Sequence, residues 1–172
     1  MKVALVSLHR YCSQWKLKVN CNKTKIVIFS RGRVATSNYD FKFGDEEIEV
    51  LGEYKYLGII SNYNGRFRKG QLELKDHATK AMYPLIGTSR KYDLPIDIQL
   101  DMYNSMVVTV ATYACEIWGY DIVRELETLQ MRYLKHALYV HRYTSNDIVY
   151  GESGMYPLEI RICKVQDDKL LD

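Results

Sequence analysis

Past a first helix-like stretch, hydrophobic periodicity in this chain changes character once, between Ser61 and Gly65, and that change limits what it can fold into. Before it, apolar residues come in short runs that alternate with polar ones, as in Tyr39-Asp40-Phe41-Lys42-Phe43. After it, they recur at steps of three and four, as in Ala78, Met82, Leu85 and then Ser89. Alternation puts every second side chain on one face of a strand, and steps of three and four line one side of a helix. Strands and helices that are segregated along the chain predict an α+β fold. The expected architecture is an N-terminal helix, a small and mostly antiparallel sheet, then an all-helical bundle. The expected units are 1–62 and 63–172.

Local signals refine this layout. Leu5, Leu8, Cys12 and Trp15 form one apolar stripe of a first helix. Leu17-Lys18-Val19 alternates, Asn20-Cys21-Asn22 has turn chemistry, and Lys25 to Phe29 is strand-like. The stretch 31–38 reads as a polar loop. Gly44-Asp45 is a hairpin signal between Tyr39–Phe43 and Ile48–Leu51, and Tyr54 to Ile60 reads as a further strand. Helices are expected from near Lys69, from 97 to 118 after Pro95, from 121 to 139 and from 157 to 171, with one more turn from 146 to 151. Pro84 should kink or loosen the first of them. In the helix from 121, the buried side is expected to carry Leu126, Leu129 or Gln130, Tyr133 and Ala137.

Composition narrows the function classes. The 172 residues carry a net charge of only +3, but residues 1–39 hold Lys2, Arg10, Lys16, Lys18, Lys23, Lys25, Arg31 and Arg33 and no acid. A one-sided basic segment suits a polyanion. No apolar run approaches the ~18 residues of a membrane span, and no secretory leader is recognisable, so an intracellular protein, cytoplasmic or nuclear, is expected. The four cysteines, at 12, 21, 115 and 163, form no C-x-x-C pair and are expected as free, partly buried thiols. His136 and His141 lie five apart, which misses the spacing of two ligands on one helix face. Gly151-Glu152-Ser153-Gly154 is read as a turn, since its acidic interior opposes phosphate. No metal site, cofactor or small-molecule ligand is expected.

Two short segments carry most of the functional information. Asn20-x-x-Lys23-Thr24-Lys25 places a lysine at a tight turn, from which an ammonium can meet a phosphate or donate a proton to a leaving oxyanion. Tyr54-Lys55-Tyr56-Leu57-Gly58 follows as a strand, with Gly58 allowing close backbone approach. Arg66, Arg68 and Lys69 stand where the next helix begins, where amides and basic side chains favour phosphate, although a solvated loop has the same composition.

The order W-x-L-x-V-N-x-x-K-T-K, strand, hairpin, Y-K-Y-L-G-I resembles the region after the catalytic strand in reverse transcriptases of non-LTR (LINE-type) retrotransposons. The resemblance continues through Lys80-Ala81-Met82-Tyr83, Tyr113 to Gly119, Gln130-x-Arg132-x-Leu134-Lys135 and Pro157-Leu158-Glu159, and so covers nearly the whole chain. It implies that the sheet is the end of a palm and the bundle a thumb. Lys23 takes the place of the motif D lysine, which approaches the incoming nucleotide and helps protonate pyrophosphate. Tyr56, Leu57 and Gly58 take the place of the primer grip. Lys25, Arg66, Arg68 and Lys69 would contact the backbone of an RNA–DNA or DNA duplex.

The family's chemistry runs through two Mg²⁺ ions held by aspartates, one of them in a (Y/F)-x-D-D hairpin. This sequence has no such motif. Its Asp167-Asp168 lacks the aromatic and lies in an expected helix, so it reads as a surface pair. The chain is therefore expected to be a reverse transcriptase fragment that does not polymerise by itself. The alternative is a small nucleic-acid-binding or structural remnant protein without enzymatic activity. In either case, a partial palm should leave an edge and a face exposed.

Overall fold

The structure, a computed structural model, describes residues 1–30, 39–120, 122 and 124–170, the last three by backbone alone. The expected loop over 31–38 with Arg31 and Arg33, residues 121 and 171 of two expected helices, and the side chain of Asp168 lie outside the described residues. The fold is α+β, with an N-terminal helix, small sheets and a helical C-terminal part. Two compact units make up the chain, Met1–Arg66 and Phe67–Asp172.

In the first unit, α1 spans Lys2–Gln14 and is followed by β1 (Ile26–Val27), β2 (Phe41–Phe43), β3 (Glu46–Ile48), β4 (Val50–Leu51), β5 (Glu53–Tyr56) and β6 (Ile59–Asn62). The strands pair in twos: β2 with β3 and β5 with β6 antiparallel, β1 with β4 parallel. Further backbone bonds extend the pairs, with Ile26 N–H donating to Glu49 O (3.0 Å) beside β4 and Tyr63 N–H to Gly52 O (2.8 Å) at the end of the β5–β6 hairpin, while Ser30 N–H donates to Tyr63 O (3.0 Å) and links the chain after β1 to the chain after β6. The core is Cys12, Cys21, Ile26, Phe41, Phe43 and Ile48, with Leu5, Val19, Ile28 and Val50 packed around it. Its two thiols, like those of Cys115 and Cys163, are in no disulfide.

Four expectations for this unit are corrected. Leu17–Val19 is not a strand, because α1 gives way to a turn and irregular chain there. The strand expected at Tyr54–Ile60 is instead a hairpin, since both Leu57 (φ 47°) and Gly58 (φ 88°) have positive φ and reverse the chain. The strand over Ile48–Leu51 is divided between β3 and β4, which pair with different partners. The apolar stripe of α1 is mostly not a buried one: Cys12 is buried and Leu5 partly so, but Leu8 is 47% and Trp15 61% exposed. The expected hairpin at Gly44-Asp45 is present, and Gly44 (φ 63°) sits so close to His9 that a Cβ would lie 2.7 Å from its Nε2.

The second unit is helical: α2 (Arg68–Tyr92), α3 (Ile96–Tyr103), a π-helical turn (Asn104–Val108), α4 (Thr109–Ala111), α5 (Cys115–Trp118), α6 (Arg124–Ala137), α7 (Asn146–Ser153) and α8 (Leu158–Leu170). In α2 the buried positions are Gln71, Leu74, Ala78, Met82, Leu85 and Ser89, with Gly70 at its first turn. They form one stripe at steps of three and four. Pro84 lies on the exposed side of α2, which runs on to Tyr92, so the carbonyl it leaves without an N–H partner lies on the solvent side. Asp93 (φ 46°) ends this helix in the left-handed region, with Leu94 N–H donating to Ser89 O.

The helix expected over 97–118 is interrupted twice. The π-turn widens it at Asn104–Val108, and Ala114 (φ 53°) breaks it before α5. Gly151–Gly154 is the end of a helix rather than a free turn, with Gly154 (φ 62°) as its left-handed cap. Buried glutamines then fasten the helix ends. Gln99 Nε2 donates to Leu94 O (2.7 Å), Gln130 Nε2 to Tyr156 O (2.8 Å) and Gln166 Nε2 to Cys115 O (3.4 Å). The first two supply a donor to a carbonyl that no helical N–H reaches, whereas the Cys115 carbonyl also accepts the Gly119 N–H (2.7 Å). Among the described residues no helix is long and apolar enough to cross a membrane.

Candidate nucleic-acid interface

The Asn20–Lys23 turn is built by its asparagine. Lys23 N–H donates both to Asn20 Oδ1 (3.2 Å) and to Asn20 O (3.1 Å), while Thr24 gives the same carbonyl its N–H (3.0 Å) and its hydroxyl (3.0 Å). An asparagine side chain that mimics a backbone acceptor, backed by a threonine four residues on, explains the N-x-x-K-T spacing as local turn chemistry. The Lys23 side chain is exposed, and among the described residues it makes no ion pair.

A long-range bond fixes this turn. Tyr54, half-buried on β5, donates its phenol to the Lys23 carbonyl at 3.1 Å. The strand that holds Tyr54 ends in the Tyr56-Leu57-Gly58 tip, so turn and hairpin share one strand as support. At the tip Tyr56 is 66% and Leu57 72% exposed. A leucine with positive φ costs roughly 1–2 kcal/mol in backbone terms, and its apolar side chain gains nothing from water. Leu57 belongs to the turn and not to the strand.

The other expected basic contacts are differently placed. Lys25 is 21% exposed and pairs with Glu49 at 2.8 Å, beside the parallel β1–β4 ladder. Its charge is therefore already answered within the fold. Arg66 is exposed at the end of the first unit, where its backbone N–H donates to Asn64 Oδ1 (2.9 Å). Arg68 and Lys69 open α2 in the second unit, a helix start with no acid in its first turn and no side-chain cap. Arg68 reaches Glu125 at 2.6 Å. Glu125's carboxyl lies below the ordinary carboxylate range because its own backbone N–H bonds to it, with Arg68 adding to the effect. Lys23, Lys25 and the Tyr56–Gly58 tip thus belong to one unit, whereas Arg68 and Lys69 belong to the other.

Tyr54 was not among the expected site residues. Its role depends on a hydroxyl meeting a carbonyl 31 residues away, which no local pattern signals. The metal-binding chemistry of the family has no counterpart among these residues. Among the described residues, no three His, Cys, Asp or Glu side chains converge as a metal would require. Asp167 is exposed on α8. No family model, no curated protein and no solved structure matches this chain.

Proposed function

We propose that this chain is part of a non-LTR retrotransposon reverse transcriptase, comprising the end of the palm and the thumb, and that it contacts a primer–template duplex without catalysing polymerisation itself. The Tyr54–Lys23 bond carries this reading. It supports a single device in which a rigid turn presents Lys23 and the same strand presents an apolar hairpin tip. A lysine held by its backbone rather than by a carboxylate keeps its charge available for phosphate. Tyr56 and Leu57 can lie against the sugar–base edge of a strand end, where an exposed apolar tip loses its contact with water.

The test is binding of an RNA–DNA hybrid duplex over a series of salt concentrations, with Lys23→Ala and Arg66→Ala beside the unaltered chain. Contact with phosphates makes log affinity fall with log salt, by about 0.9 for each phosphate neutralised on B-form DNA. Each variant should weaken binding and flatten that slope by about one contact. Weak binding that ignores salt and both substitutions would defeat the proposal. Primer extension by the purified chain should be blank, and metal-dependent extension would overturn the catalytic half of the reading.

A further inference from the structure

The second unit holds a groove of about 740 Å³ between α6 and the segment joining it to α7. Ligand pockets generally fall at ~300–1,000 Å³. Arg124, Thr128, Arg132 and Lys135 form its α6 wall, and Arg142 faces them from the connecting segment. Steps of four, four and three keep those α6 residues on one side of the helix. At a rise of about 1.5 Å per residue the row is about 16 Å long. Met131, which is buried, and Val140 supply apolar surface, and His136 adds a flat ring.

The charge in this groove is unbalanced. Among the described residues, Arg124, Arg132, Lys135 and Arg142 form no ion pair. Glu127 also lines the groove, but its carboxylate is turned to other work: it accepts the Tyr150 phenol and the Leu158 N–H, the latter at 3.0 Å. The cations are held in place without carboxylates. Lys135 Nζ donates to the Arg142 carbonyl (3.0 Å), which ties the connecting segment to α6. The Arg142 guanidinium lies 4.7 Å from the Tyr143 ring centre and donates to its hydroxyl at 2.8 Å. Burial, with the Arg90 charge adding to it, lowers the His136 pKa, so this ring is neutral at pH 7 and suited to stacking.

We infer that this groove binds single-stranded nucleic acid, with phosphates along the Arg124–Arg132–Lys135 row and Arg142, and a base against Met131, Val140 and His136. A free phosphate or nucleotide would use only part of a row this long, whereas successive phosphates of a strand can use all of it. An acidic peptide would satisfy the cations but leave the apolar surface wet. Cationic tracks combined with flat or apolar platforms are how sequence-tolerant strand binding is achieved. The inference stands on the second unit and does not require the reading of Lys23 and Tyr56.

The test uses the whole chain and a labelled oligouridylate of about eight nucleotides, within the span one strand-binding fold covers. Thr128→Glu puts a carboxylate in the groove at an exposed helical position and loses only a hydroxyl bond to the Arg124 carbonyl. A carboxylate there would repel strand phosphates, so this variant should weaken binding by about tenfold or more. Arg132→Gln should flatten the salt dependence by about 0.7, the value for one phosphate on a single strand. If Thr128→Glu lowers the melting temperature sharply, Arg132→Gln and Arg142→Gln decide the matter. Duplex binding by the Arg132→Gln chain should still respond to Lys23→Ala, so that failure here and failure of the duplex reading are told apart. Unchanged affinity in the folded groove variants overturns the inference. So does equal competition by uridine triphosphate or by an oligoglutamate.

Discussion

Tyr54 donates its phenolic hydrogen to the carbonyl of Lys23 at 3.1 Å, and through that bond a hairpin strand sets the position of a turn 31 residues earlier. Tyr54→Phe removes the bond and leaves the ring. It should cost about 1 kcal/mol of stability, the usual net worth of one such bond. Duplex affinity should fall as well, since Lys23 would be presented from a looser turn. Urea unfolding and duplex titration on the same variant check both halves.

Glu49 competes with any phosphate for Lys25. Glu49→Gln should release that ammonium and raise duplex affinity, most clearly at low salt, where unscreened charges act over the longest range. The stability change should stay below about 1 kcal/mol, because Glu49 is 60% exposed in this pair. Unchanged affinity at every salt concentration would mean that Lys25 is structural only.

Leu57 is exposed and has a left-handed backbone, two features that disfavour leucine. Asparagine followed by glycine is the preferred pair for a two-residue hairpin turn, so Leu57→Asn should stabilise the first unit by up to about 1–2 kcal/mol. If the tip contacts a nucleic-acid strand end, the same variant should bind more weakly. A variant that is more stable and binds less would separate the function of Leu57 from its folding cost. Equal or tighter binding would remove the tip from the interface.

Gly119 has no room for a side chain. A Cβ there would collide with Ile162 Cγ2 on α8 and would lie 2.6 Å from the Cys115 carbonyl and 2.7 Å from Gln166 Nε2. Gly119→Ala should therefore destabilise the second unit by about 1–3 kcal/mol, the usual penalty for overpacking. Thermal melting should show the loss, and trimming Ile162 to alanine in the same chain should not restore it, because the carbonyl remains.

Tyr133 is buried, stacks on Tyr103 with ring centres 4.1 Å apart, and donates to the Gln99 carbonyl at 2.9 Å. Burial pushes its pKa from the ordinary 10 up to about 12, although the neighbouring Ser89 hydroxyl pulls the other way. The folded pKa is thus the higher of the two states. The associated stability is complete below about pH 10 and is lost as pH rises toward 12, because the unfolded chain releases the proton first. Tyr103 and Tyr150, also raised by burial, act in the same direction. Urea midpoints should fall steeply above pH 10, and Tyr133→Phe should make that fall shallower while lowering stability at neutral pH.

Periodicity along the chain accounts for the segregation of strands from helices and for the faces of the long helices. The stripe from Ala78 to Ser89 and the stripe from Leu126 to Ala137 are buried as their spacing requires. Such patterns are legible because each sums over several turns of one helix, and an error at one residue does not change the sum. The N-x-x-K-T turn was legible for a related reason, since its bonds join residues no more than four apart. Tertiary structure decided what depends on distant partners. Leu57 turns the chain where a strand was expected to continue, Ala114 breaks a helix without a glycine or proline to mark it, and Lys25 and Arg68 meet Glu49 and Glu125, residues far along the chain. The α1 stripe predicts a helix, but whether its apolar side chains are covered depends on what packs against them, and Cys12 alone on that helix is buried. Basic residues announce a charge; whether that charge faces a phosphate or a carboxylate of the same chain is fixed only when the chain has folded.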